Sequence, residues 1–183
     1  MTQQQIASTQ VIIIGAGPPG LTLAAQLLRY SINFIILEKN ERTTHLSKAV
    51  VIPARTLEIF DEMGLAEDAI RRGRVTTAFN LFYEGKQKVK IDIARLGQGL
   101  SKFPFALSLE QSKTESLLVE HLAGHHKNIL WKANFKRLEQ TAEGVTAYYS
   151  NGEDEGRKSH HRSVPRGVRW RLKSGASPSG FAF

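Results

Sequence analysis

Val11-Ile12-Ile13-Ile14-Gly15-Ala16-Gly17-Pro18-Pro19-Gly20 joins a β-branched apolar run to a G-x-G-x-x-G turn, and the reading of this stretch decides the fold. A short apolar run ending at glycine predicts a strand buried on both faces, as in a parallel sheet. Leu21, Ala24, Ala25 and Leu28 follow at one-face helical spacing, which predicts a helix ending near Tyr30. Phe34–Leu37 is a second apolar strand closed by Glu38. Strand, helix and strand span 28 residues, positions 11–38, the length of a right-handed βαβ crossover.

Each glycine of the turn has a separate physical task. Gly15 permits the tight bend, Gly17 lets backbone approach a pyrophosphate, and Gly20 lets the helix pack close to the strand. A phosphate seated there meets unpaired N–H groups at the positive end of the helix dipole. Proline is tolerated at a helix start because its missing N–H has no intrahelical partner. Two in succession, Pro18 and Pro19, remove two donors from the phosphate's reach. Glu38 lies 18 residues after Gly20, where a carboxylate accepts hydrogen bonds from ribose hydroxyls and repels a 2′-phosphate. The adenosine so held belongs to NAD or to FAD; the motif does not separate them. The bland alternative is a glycine turn in an α/β fold that binds no nucleotide.

Further along, Thr56–Met63 and Leu65–Ile70 read as short helices, the first stopped by Gly64. Phe79–Tyr83 and Lys88–Ile93 alternate around Glu84-Gly85-Lys86, a hairpin signal. Ser108–Leu122 is expected to be helical. Ile129–Gln140 and Val145–Ser150 are expected strands turning at Glu143-Gly144. Ser108 and Gln111 also spell S-x-x-Q, and a capping box there would account for the glutamine without any ligand.

Composition narrows the function classes. The 183 residues contain no cysteine, which excludes disulfides, thiolate metal sites and cysteine nucleophiles. Neither a signal-peptide pattern nor an apolar run long enough to span a bilayer is present, so no integral membrane segment is expected, and the location is expected to be cytoplasmic. The net charge of +8 would suggest nucleic acid, but seven of the basic residues follow position 156. Without them 18 basic residues face 17 acidic ones, and no nucleic-acid partner is expected. His121 and His125 share helical spacing that metals use, but no third ligand is evident, so no metal site is assigned.

Two downstream stretches carry a family resemblance. Lys48-Ala49-Val50-Val51-Ile52-Pro53-Ala54-Arg55-Thr56-Leu57-Glu58, continuing to Gly64-Leu65, resembles the "RA…ARTLE…LGL" segment of para-hydroxybenzoate and phenol hydroxylases. Ser108-Leu109-Glu110-Gln111-Ser112-Lys113-Thr114-Glu115-Ser116-Leu117-Leu118 resembles their "Q…TE..L" helix. With the βαβ unit, the likeness covers most of positions 8–150. It implies a Rossmann-like FAD-binding domain with the start of an inserted β-sheet substrate region, about 75–106, in an α/β fold incomplete at its C-terminus. It also implies FAD as cofactor, NAD(P)H as electron donor, and hydroxylation of a small aromatic substrate through a flavin C4a-hydroperoxide. Cofactor-binding positions are then Gly15, Gly17, Pro19, Gly20, Glu38, Lys48 and Gln111, with Gln111 near the ribityl or pyrophosphate. Lys48 stands where the family has arginine, and lysine keeps the charge but loses the planar fork. No protein side chain is assigned a catalytic step, because the flavin carries the hard chemistry.

Residues 156–183, rich in Arg, Ser, Gly and Pro, are expected to form a basic disordered tail. The family's next segments, a strand ending in G-A/C-D-G and later G-D-A-A-H, are absent. Back-translating 163–177 and advancing one nucleotide permits RYLVGCDGASSPVRH, so the tail is expected to be a frameshifted continuation. The polypeptide is accordingly expected to bind FAD weakly or not at all, and not to hydroxylate by itself.

Overall fold

The computed structural model describes residues 9–44, 49–127, 129–142, 144–151 and 162–164. Strand β1 (Val11–Ile14), helix α1 (Pro18–Arg29) and strand β2 (Phe34–Leu37) form the expected crossover. β1 and β2 run parallel in register from Val11↔Phe34 to Ile14↔Leu37. α1 begins at the two prolines, earlier than apolar spacing alone suggests, because proline is pre-set for the first helical turn. Next come β3 (Ala49–Ile52), α2 (Ala54–Glu62), α3 (Ala66–Arg72) and β4 (Arg74–Thr76). A hairpin of β5 (Ala78–Tyr83) and β6 (Lys86–Asp92) leads into the short α4 (Ile93–Gly97). Glu84 and Gly85 have φ of 48° and 70°, the left-handed pair that a two-residue turn needs to match strand twist.

The stretch 106–110 departs from the helical expectation. It forms β7 (Ala106–Glu110), and α5 (Gln111–Gly124) starts only after it. Ala-Leu-Ser-Leu-Glu buries Leu107 and Leu109 at period two, and both edges of β7 are paired, with β3 and with β4. Ladder hydrogen bonds on two sides outweigh local helix preference here. The S-x-x-Q capping box therefore does not form: Ser108 pairs with Val51 and Arg74, and Glu110 caps α5 without a side-chain bond. β8 (Ile129–Leu130), β9 (Ala133–Thr141) and β10 (Gly144–Asn151) complete the body, the single strand expected over 129–140 being broken at Trp131 and Lys132. Within the stretch expected to be a disordered tail, Arg162–Val164 forms β11, antiparallel to β10. The rest of 156–183 lies outside the described residues.

The parallel sheet, ordered β1-β2-β8, is covered on both faces. Ile13 and Ile36 enter a core with Leu21, Ala24 and Ala25 of α1, Leu117, Leu118 and Leu122 of α5, and Phe60 of α2. Leu37 enters a second cluster with Ala133, Ala147 and Tyr149, joined by Ile12 and Ile35. Alternate side chains of one strand thus serve two apolar layers, which is why the strands read as unbroken apolar runs.

Gly20 is the tightest point. A Cβ there would sit 2.1 Å from the Gly15 carbonyl oxygen, a backbone atom that cannot yield without moving the turn. Gly20→Ala is expected to cost about 3 kcal/mol, a fall in Tm of roughly 5–10 °C by calorimetry.

At the other end of the crossover layer, His121 is half-buried in the last turn of α5, its ring centroid 4.7 Å from that of His125. Burial first, and then the neighbouring His125, hold the His121 imidazole below its ordinary value of 6.5. The unfolded chain therefore takes up this proton more readily than the folded one. Stability from this group is present above pH 6.5 and drains away as pH falls below it. Urea midpoints should decline on going from neutral pH to about pH 5, and His121→Gln should flatten that decline.

Candidate functional site

The glycine turn sits at the carboxyl ends of β1 and β2, the edge where open α/β sheets bind ligands. The Gly15 N–H donates to the Leu37 carbonyl at 2.8 Å, fastening the turn to the second strand. Gly15 has φ of +99°, which side-chain-bearing residues rarely adopt. Gly17 is the N-cap of α1 in extended geometry (φ −77°, ψ 178°), the conformation favoured before proline. A Cβ on Gly17 would meet nothing nearer than 4.0 Å, so the space over this residue is open to a ligand. Gly20, by contrast, is packed against the turn. Two glycines of one motif therefore face opposite constraints.

Glu38 is the hinge of the site. Its side chain is 8% exposed, and both carboxylate oxygens accept hydrogen bonds. Oε2 takes the Ala16 N–H at 2.7 Å, while Oε1 takes the Asn40 N–H at 2.9 Å and the Asn40 side-chain amide at 2.6 Å. Its spacing from Gly20 led to the expectation that Glu38 meets a sugar; the tertiary structure shows the same side chain bonded to the glycine turn. The unspent acceptor capacity of Oε2 is what a ribose hydroxyl could share.

Pro18 and Pro19 occupy the first two helical positions, so the first-turn donor that remains is the Gly20 N–H. Pro19 is exposed and offers only its ring, whereas Pro18 lines a cavity of about 250 Å³ beyond the turn. Thr22, Val51, Pro53, Thr56, Gln111 and Thr114 share that lining. Gln111 thus comes to the cavity from the start of α5, across from the N-terminus of α1. Its amide Nε2 donates to Glu115 Oε1 at 2.8 Å. Lys48 lies outside the described residues. Thr22 and Val51 were not singled out from sequence, nor Pro18 as a cavity wall, because nothing in their spacing shows that β3 comes alongside α1.

Val51 and Pro53 also line a second, wider groove of about 730 Å³. Phe79, Ile91, Phe103 and Phe105 supply its apolar wall, with Phe103 and Phe105 edge-to-face at 6.1 Å and 82°. Arg55 and Glu58 border it as an ion pair at 2.8 Å. Glu58 also accepts from Ser101 Oγ at 2.7 Å, and the Arg55 and Ser101 contacts hold its carboxyl below the usual carboxylate range. Arg55 is therefore spoken for at the start of α2. His125 Nδ1 lies 2.9 Å from the His121 carbonyl oxygen, and among the described residues no cluster of three or more His, Cys, Asp or Glu could hold a metal ion.

The glycine turn is open over Gly17, closed under Gly20 and bridged to a strand-end acid, and the FAD binding domain family matches residues 8–162. The chain belongs to the FAD binding domain family. Among the relatives of this FAD-binding domain is 6-methylpretetramide 4-monooxygenase of Streptomyces rimosus, 38% identical over 122 residues, covering 67% of this chain and 22% of the relative. The crystal structure of p-nitrophenol 4-monooxygenase PnpA from Pseudomonas putida superposes with a TM-score of 0.76 at 26% identity, over 81% of this chain and 38% of that one. The flavin-dependent monooxygenase PieE, solved in complex with FAD and substrate, superposes with a TM-score of 0.74 at 25% identity, over 88% and 29%. The domain is thus similar in sequence and fold to part of proteins named as monooxygenases. It spans well under half the length of each relative. Among the described residues no helix is long and apolar enough to cross a membrane.

Because both Glu38 oxygens face N–H groups, Glu38→Gln must set an amide donor against a backbone donor on one side. The expected cost is about 1–3 kcal/mol, seen as a lower urea midpoint with unchanged slope.

Proposed function

We propose that this domain seats the FAD of an NAD(P)H-dependent monooxygenase that hydroxylates a small aromatic substrate. The observation that carries the reading is the opposed pair of glycines bridged to Glu38: open over Gly17, sealed under Gly20, with the acid 2.7 Å from the Ala16 N–H. When bound, FAD would supply electrons taken from NAD(P)H to O₂ and so the oxygen atom added to the ring. The residues of the chain bind, orient and exclude water. The pyrophosphate is read at the Gly17–Gly20 turn and the ribose at Glu38, with Lys48 and Gln111 serving the remainder of the cofactor. The cavity lined by Pro18 and Gln111 shares Val51 and Pro53 with the groove walled by Phe79, Phe103 and Phe105. That apolar wall favours an aromatic ring and keeps water from it. The groove's bordering cation, Arg55, is already paired with Glu58, so a neutral ring fits this wall better than an anionic one.

Gly17→Val tests the reading directly. Extended geometry and open space should let the variant fold, with Tm within roughly 3 °C of the parent, while its methyl groups occupy the phosphate approach. Titrating the purified chain with FAD and with ADP should show weak saturable binding of both, reduced at least about tenfold in the variant, a change near 1.4 kcal/mol. Equal binding by parent and variant would exclude the turn as the nucleotide seat.

A further inference from the structure

Part of the apolar wall of the wider groove is carried by a short segment, 101–105, between α4 and β7. A connecting segment keeps one shape only where its polar groups are tied down. Here the ties run to α2. Ser101 Oγ donates to Glu58 Oε1 at 2.7 Å, and the same oxygen accepts the Phe103 N–H at 3.1 Å. Lys102 Nζ reaches both oxygens of Asp61, at 2.9 and 2.8 Å. Glu58 and Asp61 are three residues apart and so share one side of α2. The Phe105 N–H closes back on the Phe103 carbonyl at 2.7 Å, around Pro104.

The two ties differ in kind. The Lys102–Asp61 pair is exposed, 69% and 39% at the side chains, where an ion pair contributes little. The Glu58 contact is half-buried and works as a relay. A carboxylate only accepts, so the Ser101 hydroxyl must donate to it and turn a lone pair to the Phe103 backbone. Arg55 holds the other Glu58 oxygen and fixes the carboxylate in turn. A chain of contacts thus runs from Arg55 through Glu58 and Ser101 to Phe103, and all four residues border the groove. Phe103 is buried and edge-to-face with Phe105, so a shift of one ring carries the other. The end of α4 also backs the segment: a Cβ on Gly97 would lie 3.1 Å from the Pro104 Cα. Losing the Glu58 tie therefore displaces the wall slightly and does not release it.

We propose that Glu58 is a positioning residue that acts through Ser101 to set the width of the groove, and with it the discrimination between ring sizes. The proposal rests on the aromatic reading above. A single ring gains contact only with wall atoms at van der Waals distance, and a small gap forfeits much of that gain. A fused pair of rings spans the widened groove and loses less.

The test uses the full chain and three probes: phenol and 1-naphthol, both neutral at about pH 7, and ADP for the glycine turn. Ser101→Ala removes the donor to Glu58 and leaves the apolar atoms of the groove in place. Its affinity for phenol should fall about fivefold, with 1-naphthol and ADP held within about twofold. Glu58→Ala should give the same pattern. Glu58→Gln, whose amide oxygen still accepts the Ser101 hydroxyl, should bind phenol within about twofold of the parent. The two alanine changes combined should be no worse than either alone, since they break one contact. Should Glu58→Ala prove too unstable to purify, the contrast between Ser101→Ala and Glu58→Gln carries the test. A merely structural role would lower all three affinities together. Such a parallel fall, equal loss of both rings, unchanged phenol binding in Ser101→Ala, or a Glu58→Gln chain as weak as Ser101→Ala would overturn the proposal and leave the groove as a ring site. A parent that binds neither ring, whether or not it binds ADP, would remove the aromatic reading of the groove and this inference with it.

Discussion

The bond from the Ala16 N–H to Glu38 joins the two ends of the crossover at the place where a ligand arrives. Parallel pairing of β1 with β2 brings the turn and the acid to the same edge, and the Gly15 N–H to Leu37 carbonyl bond extends that ladder into the turn. Glu38 then closes the arrangement with a buried carboxylate whose two oxygens both accept hydrogen bonds. A hydrogen bond to a charged group contributes more than a neutral one, and its loss leaves a buried donor unpaired. The same side chain is therefore part of the scaffold and the group proposed to meet a sugar. Structure and binding are not separable at this residue.

The remainder of the body exists to keep that edge rigid. α1 and α5 pack on one face of the parallel sheet, and the β9–β10 sheet closes the other through Leu37, Ala147 and Tyr149. Among the described residues, close packing gives way at the β5–β6 hairpin. Leu81, Phe82, Tyr83 and Val89 are between 46% and 65% exposed there, and two strands alone bury little. Phe79 and Ile91 of the hairpin, themselves exposed, line the groove together with Val51 and Pro53. The contrast between a tightly packed nucleotide edge and an open apolar groove is the physical basis for assigning cofactor and ring to different sides.

Two acids, Glu38 and Glu115, are buried among the described residues. Glu38 organises backbone donors around the turn; Glu115 organises a side-chain amide and the Thr44 backbone. Neither takes part in an ion pair with a described basic side chain. Their oxygens are satisfied by N–H groups, and such bonds fix direction more sharply than a salt bridge between flexible chains. That is a suitable device for holding a ligand whose contacts must be placed to a fraction of an ångström.

Local pattern determined the crossover. Isoleucine runs, helical spacing, three glycines and a strand-end acid lie within positions 11–38, and each constrains backbone geometry through sterics that act over a few residues. The Glu84-Gly85 hairpin was legible for the same reason. Tertiary structure decided what depends on neighbours distant in sequence. Residues 106–110 became a strand because β3 and β4 pair with both its edges, which no local propensity encodes. Gln111 lost its capping role and gained Glu115 as partner once its helix started three residues later than Ser108. Pro18, Thr22 and Val51 became cavity walls because β3 and α5 close over the start of α1. Backbone sterics are short-ranged and can be read along the chain; which apolar faces and strand edges meet depends on the whole packed core, and only the fold brings those residues together.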